Sequence, residues 1–149
     1  MASEFEPRNP EFEALVRDSF AKQQVMALIG AEMTTVEPGA VEITLPTRDD
    51  LTQQHGFVHA GIVTTIVDSA CGYAALTLAP ASSDVLTIEY KVNFMEPASG
   101  ERLIARGRVL RAGRTITVCA GDVSAVRDGR EQPVATMLAT MRIMPGRPD

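Results

Sequence analysis

Cysteine is scarce, and the two present, Cys71 and Cys119, sit 48 residues apart with neither C-x-x-C nor metal-site spacing. Both are expected to be small buried hydrophobes, so no disulfide and no metal site is implied. The N-terminus lacks a basic start followed by an apolar core, which argues against a secretory signal and leaves the cytoplasm as the expected location. Low-complexity tracts and short repeats are also missing. What remains is an ordinary composition, 45% hydrophobic and 22% charged in 149 residues, enough to bury a core without staples.

Positive charge is short as well, with a formal net charge of −5. The shortage is uneven. Between Arg102 and Arg130 stand Arg102, Arg106, Arg108, Arg111, Arg114, Arg127 and Arg130 against Asp122 and Asp128 alone. An acidic chain with one basic segment is a poor general partner for nucleic acid, but it can hold a small polyanion. The plain alternative is a set of arginines pointing outward from solvated strands.

The sparsest stretch for charge is Leu51–Ser83, whose single formal charge is Asp68. The run 59–78 has the length of a membrane span. It is rich in Ala, Gly and Thr, however, and carries Asp at its centre, which costs roughly 2.5–3.5 kcal/mol on insertion scales. It reads as a buried central helix, and no membrane partner is expected. A buried unpaired carboxylate is costly, so Asp68 implies a pocket, a partner, or both.

Around it the chain has a clear order. Residues 1–9 are expected as a loose tail and 10–149 as one domain. Asn9-Pro10 opens an amphipathic helix, with Phe12, Leu15, Val16 and Phe20 on one face, expected to run to Leu28 with Gly30 as its stop. Strands 31–37 and 40–45 follow, joined at Pro38-Gly39. A polar loop, 47–58, leads into the central helix. Then come strands at 85–95, 102–111, 115–127 and 133–144, with turns at Ala112-Gly113 and Asp128-Gly129. In 85–95, Leu86, Ile88, Tyr90, Val92 and Phe94 alternate with Val85, Thr87, Glu89, Lys91 and Asn93, giving one apolar and one mostly polar face. Strands grouped after helices indicate an α+β fold, an antiparallel sheet curled around the long central helix.

On that helix, Gly61, Thr64, Thr65, Gly72 and Ala75 share the Asp68 face, and all are small enough for a ligand or another backbone to approach. His59 and Asp68 lie nine residues apart, half a turn out of phase and about 13 Å along the axis. They cannot meet on one helix. If both serve one reaction centre, a second copy must supply one of them, which makes a dimer the minimum. The N–H groups of Ala60, Gly61 and Ile62 open the helix and can hold an oxyanion, with Gly61 leaving room for a carbonyl oxygen.

The motif His59-Ala60-Gly61, the preceding Gly56, Asp68 nine residues on, and Thr87 on the strand ending Asn93-Phe94-Met95-Glu96-Pro97 resemble the signature of hotdog-fold acyl-CoA thioesterases of the PaaI type, over about residues 25–144. The resemblance implies hydrolysis of an acyl-CoA to free acid and CoA, with CoA arriving as part of the substrate and no separate cofactor. It makes Asp68 the catalytic carboxylate, as general base or as nucleophile. The Ala60 N–H, aided by Gly61, would bind the thioester oxygen. His59 would position the thioester and order the loop, and Thr87 would hold the water or the carboxylate. It also implies a homotetramer. Two positions depart from the pattern, Ala60 for a glycine and Gln53 for an asparagine, and both bear on substrate range. Arg111 and Arg114 are the candidates for the CoA phosphates, and Phe57, Val58 and Tyr73 for the acyl pocket. The rival readings are a hotdog dehydratase or hydratase, and a non-catalytic acyl-CoA-binding protein.

Overall fold

A computed structural model describes residues 4–146. Two short helices come first, α1 (Phe12–Ala21) and α2 (Gln24–Ile29), then the hairpin β1 (Glu32–Glu37) and β2 (Ala40–Pro46). A 3-10 turn at Asp49–Leu51 leads to α3 (Ala60–Leu76), and β3 (Ser83–Phe94), β4 (Arg102–Ala112), β5 (Ile116–Arg127) and β6 (Arg130–Pro145) complete the chain. The six strands form one antiparallel sheet in the order β1-β2-β4-β5-β6-β3, with α3 packed against β2 through β6. This is the expected hotdog arrangement. Val63, Ile66, Val67, Ala70 and Ala74 of α3 are fully buried against Ile43, Leu45, Leu103 and Met141 of the sheet.

Glycine makes that contact close. Gly107 and Gly121 pair across β4 and β5 directly under the helix. A Cβ on Gly107 would lie 2.3 Å from the carbonyl carbon of Ala70, and one on Gly121 would lie 2.6 Å from Val67 Cγ2 and 2.8 Å from Cys71 Sγ. The helix backbone rests where two side chains are missing. Cys71 and Cys119 are buried as expected, and burial pushes the Cys119 thiol up to about 12.

Four expectations change. The single helix over 10–28 is two helices, because Gln23 adopts an extended backbone (φ −76°, ψ 101°) and turns its side chain toward α3. Gly30, at φ +83°, ends α2 as expected. Residues 4–9, expected in a loose tail, lie against the fold: Phe5 packs on the core beside Gly39, and Asn9 Oδ1 accepts the Glu11 N–H at 3.0 Å. Residues 1–3 of that tail lie outside the described residues. The last strand starts at Arg130 rather than Pro133, because a register shift between Val123 and Ser124 absorbs the proline that cannot donate.

The fourth change bears on function. An uninterrupted alternation would place Thr87 on the face of Glu89 and Lys91. Instead the pairing of β3 with β6 shifts between Thr87 and Glu89, so Ile88 is an extra, bulged residue. The bulge exchanges the two faces. Thr87, opposite the buried Met141, joins the helix side with Tyr90 (opposite Ala139) and Val92 (opposite Met137), while Leu86, opposite Arg142, goes to the outer face.

Candidate active site

The loop before α3 is closed by its own backbone. Gln53 N–H donates to Phe57 O at 2.8 Å, Gly56 N–H to Gln53 O at 3.0 Å, and Gly56 takes φ +85°, a conformation in which a side chain would be strained. The Gln53 side chain stays within this loop, its Oε1 accepting from the N–H of His55 at 2.5 Å and of Phe57 at 3.3 Å. Its amide NH2 has no protein partner among the described residues. Val58 N–H donates to Ala98 O and His59 N–H to Leu51 O, which pins the helix start to the loop beyond β3.

His59 is the N-cap of α3, and its Nδ1 accepts the Gly61 N–H at 2.8 Å. This corrects the role expected for Gly61. Its N–H is spent on the cap, and its missing Cβ makes room for the His59 ring, which a side chain would meet at 3.0 Å. Ile62 and Val63 N–H both donate to His59 O. Among the described residues only Ala60 keeps an unpaired N–H in this first turn, where the helix dipole favours negative charge.

Two turns along, Asp68 is half-buried on the same helix. Thr87 Oγ1 donates to Asp68 Oδ1 at 2.8 Å, the bond that the bulge in β3 makes geometrically available. The other carboxylate oxygen accepts no hydrogen bond from the described residues. Burial raises the Asp68 pKa above the ordinary carboxylate value, and the Thr87 hydroxyl opposes that rise by favouring the ionised form. A half-desolvated carboxylate with one free oxygen is a stronger base than a solvated one. Thr87→Val removes the opposing bond, so the acid limb of the activity profile is expected to move to higher pH. A kcat/KM profile from about pH 4 to 8 checks this, and an unmoved limb would disconnect Thr87 from the titrating group.

Asp68 lines two clefts. One, about 510 Å³, runs past Ser19, Lys22, Tyr73, Asp84 and Thr87. The other, about 700 Å³ and open to solvent, runs along α3 past Thr64 and Thr65 to Ala60 and is walled by Val25, Tyr90, Val92 and Phe94. Ala60 also faces a third cleft of about 380 Å³, with Gln53, Phe57, Val58 and Phe94. One chain therefore brings Asp68 and Thr87 together, and Gln53, Phe57 and Ala60 together. The two groups stay apart, because Asp68 and Ala60 are eight residues, about 12 Å, apart on the helix axis.

Other expected site residues lie elsewhere. Tyr73 is buried, stacked edge-on against Phe20, with its hydroxyl held by Gln23 Nε2 at 2.9 Å and Ser19 at 3.2 Å. It braces the N-terminal helices rather than presenting an apolar wall. Arg111 and Arg114 flank the β4–β5 turn and line none of the three clefts. Their charge is nevertheless uncompensated: Arg106 pairs with Glu42 and Glu131, Arg108 pairs with Asp122, and Arg127 binds the Ser99 and Pro97 carbonyls, whereas Arg111 and Arg114 meet no carboxylate among the described residues. Gln23 and Ser69, both beside Asp68, were not picked out by the sequence pattern. The polar triplet Lys22-Gln23-Gln24 inside an apolar periodicity was the available signal.

No group of three or more His, Cys, Asp or Glu side chains able to hold a metal ion occurs among the described residues, and none of their helices is long and apolar enough to cross a membrane. The sequence pattern of the Thioesterase superfamily matches residues 55–131, a span that holds the end of the loop from His55, α3, Asp68 and Thr87. A thioesterase family protein from Silicibacter pomeroyi superposes with a TM-score of 0.89 at 52% identity, covering 91% of this chain and 99% of that one. A provisionally named esterase of Saccharolobus solfataricus is 32% identical over 104 residues, 69% of this chain and 74% of its own length. Acyl-coenzyme A thioesterase 13 of Homo sapiens is 24% identical over 99 residues, 66% of this chain and 70% of that protein. The chain belongs to the thioesterase superfamily, and its chemistry is the hydrolysis of thioesters.

Proposed function

We propose that the substrate is an acyl-CoA, cleaved to the free acid and CoA in a site that two copies of the chain complete together. The observation that carries this reading is the Thr87–Asp68 hydrogen bond, which fixes a half-buried carboxylate with one free oxygen in a cleft that ends at the unpaired Ala60 N–H. Asp68 of one copy serves as base or nucleophile, and Ala60 N–H of the other binds the oxygen that becomes negative. Along the base route, Asp68 takes a proton from water and the hydroxide adds to the thioester carbon. The C–S bond then breaks, and the proton passes to the departing thiolate. Along the nucleophile route, the carboxylate adds to the thioester carbon, the C–S bond breaks to release the CoA thiolate, and water cleaves the resulting anhydride to the free acid and the restored Asp68, with a proton passing to the thiolate. One turnover in ¹⁸O-water that leaves label in Asp68 marks the nucleophile route, since the base route puts label in the acid alone.

The edge of the sheet supports the pairing of two copies. β3 is a terminal strand with one unpaired edge, and it exposes Leu86, Ile88, Tyr90 and Phe94, a long apolar edge of the kind that a soluble protein covers. On the outer face of β4 and β6, Leu110 and Leu138 are also exposed, as is Ile116 at the start of β5, which supports a second interface and a dimer of dimers. Arg111 and Arg114 remain our candidates for the CoA phosphates, as cations that meet no carboxylate among the described residues. The hydrolase reading is favoured over a hydratase by the match of residues 55–131 to the Thioesterase superfamily.

Complementation tests the shared site. Ala60→Pro removes the free N–H while occupying the first helical position, where proline is well tolerated, and is expected to lower kcat about 100-fold to 1000-fold. Co-expressed with Asp68→Asn, it should restore activity to about a quarter of wild type, since a mixed dimer holds one intact and one doubly altered site. No restoration in a demonstrated mixed dimer would place both groups in the same chain's site.

A further inference from the structure

The two clefts that meet at Asp68 have only Gln23, Asp68 and Ser69 in common. Both mix apolar and polar walls: one has Val25, Tyr90, Val92 and Phe94 beside Thr64 and Thr65, and the other has Val85, Leu86 and Met144 beside Lys22, Asp84 and the Tyr73 hydroxyl. Gln23 stands where they join, at the break between α1 and α2, and its side chain is held at both ends. Its Nε2 donates to Tyr73 Oη at 2.9 Å, and its Oε1 accepts from Ser69 Oγ at 3.4 Å.

A side chain held from two positions on α3 cannot swing aside as a free surface glutamine does, so the width of the junction is set by Gln23. Just beyond it, α2 presents Val25 to the cleft that runs along α3 to Ala60. The break that Gln23 makes in the N-terminal helix therefore both divides the two clefts and supplies one wall of the one along α3.

We infer that Gln23 is a specificity-determining residue, the stop that limits how long an acyl group the cleft along α3 accepts beside Asp68. This rests on the acyl-thioester reading of that site. A short acyl group fills the cleft between Val25 and Phe94. A longer one must pass the junction, where it meets an amide that Tyr73 and Ser69 hold in place and that gives an alkyl chain nothing in return for its desolvation. Tyr73 acts through Gln23 as a positioning residue.

Binding of unreactive S-alkyl-CoA thioethers of four, eight and twelve carbons tests this without requiring turnover. For the wild-type chain, calorimetric affinity is expected to rise with chain length and then fall. Gln23→Ala is expected to improve the affinity ratio of the longest to the shortest ligand by about tenfold or more. Tyr73→Phe, which keeps the glutamine and loses its anchor, should move the ratio the same way by a smaller factor. An unchanged ratio in Gln23→Ala, measured on protein with a cooperative thermal transition, overturns the inference, because a merely structural glutamine lowers Tm without altering chain-length preference. The acyl-thioester reading is judged separately by thioester hydrolysis in the wild-type chain, so the two can fail independently. Failure of the wild-type chain to bind any of the three thioethers would overturn the inference alone.

Discussion

Asp68→Asn is expected to lower kcat/KM for thioester hydrolysis by about 100-fold to 10,000-fold, the range for loss of a positioned base, while the chain folds and assembles as before. Asparagine retains an oxygen that can accept the Thr87 hydroxyl, so the local geometry survives. The accompanying expectation concerns stability. Burial raises the Asp68 pKa, so the folded chain binds this proton more tightly than the unfolded one. The stabilisation by that proton is complete below the unfolded carboxylate pKa, and it is lost as pH rises through the folded value. At neutral pH the ionised Asp68 thus costs stability, and the asparagine variant should melt no lower than wild type. The difference should shrink toward about pH 4. A lower Tm at neutral pH would mean that the carboxylate is there to hold the fold.

The largest effect on stability is expected at the sheet centre. A methyl at Gly107 would strike the α3 backbone at three atoms, the carbonyl carbon and oxygen of Ala70 and the nitrogen of Cys71, all within 2.5 Å. Backbone inside a helix cannot yield as a side chain can, so Gly107→Ala should cost about 3 kcal/mol or more, a large part of ordinary domain stability. Gly121→Ala meets the ends of two side chains, Val67 and Cys71, which can rotate or shift, and it should cost less. Urea unfolding midpoints of the two variants give the ranking. If the order were reversed, the helix would not rest on Gly107.

These effects follow from features of unequal visibility in the sequence. Asp68 stood out because charge is absent for many residues on either side, and the succession of strands along the chain was readable from turn residues that act locally, such as Pro38-Gly39 and Asp128-Gly129. The bulge at Ile88 was hidden. Its cause is the register with β6, more than fifty residues away, and local alternation assigned Thr87 to the wrong face. The break at Gln23 was hidden for the same reason, since its hydrogen-bond partner Tyr73 lies 50 residues downstream while the apolar periodicity continues through it. The His59 cap depended on where one ring nitrogen points, which residue type alone does not fix.

What these details share is their effect on Asp68. The bulge delivers Thr87 to it, the cap at His59 leaves Ala60 as the free donor at the far end of its cleft, and Gln23 bounds the space beside it. A carboxylate placed only for packing would need none of this.

The most direct measurement is thiol release from a panel of aliphatic and aromatic acyl-CoAs by the purified wild-type chain, with Asp68→Asn alongside at equal concentration. Steady release of CoA by the wild type and its near-complete loss in the variant is the predicted result. Equal rates from the two proteins, or no release from any member of the panel, would contradict the assignment of acyl-CoA hydrolysis to Asp68.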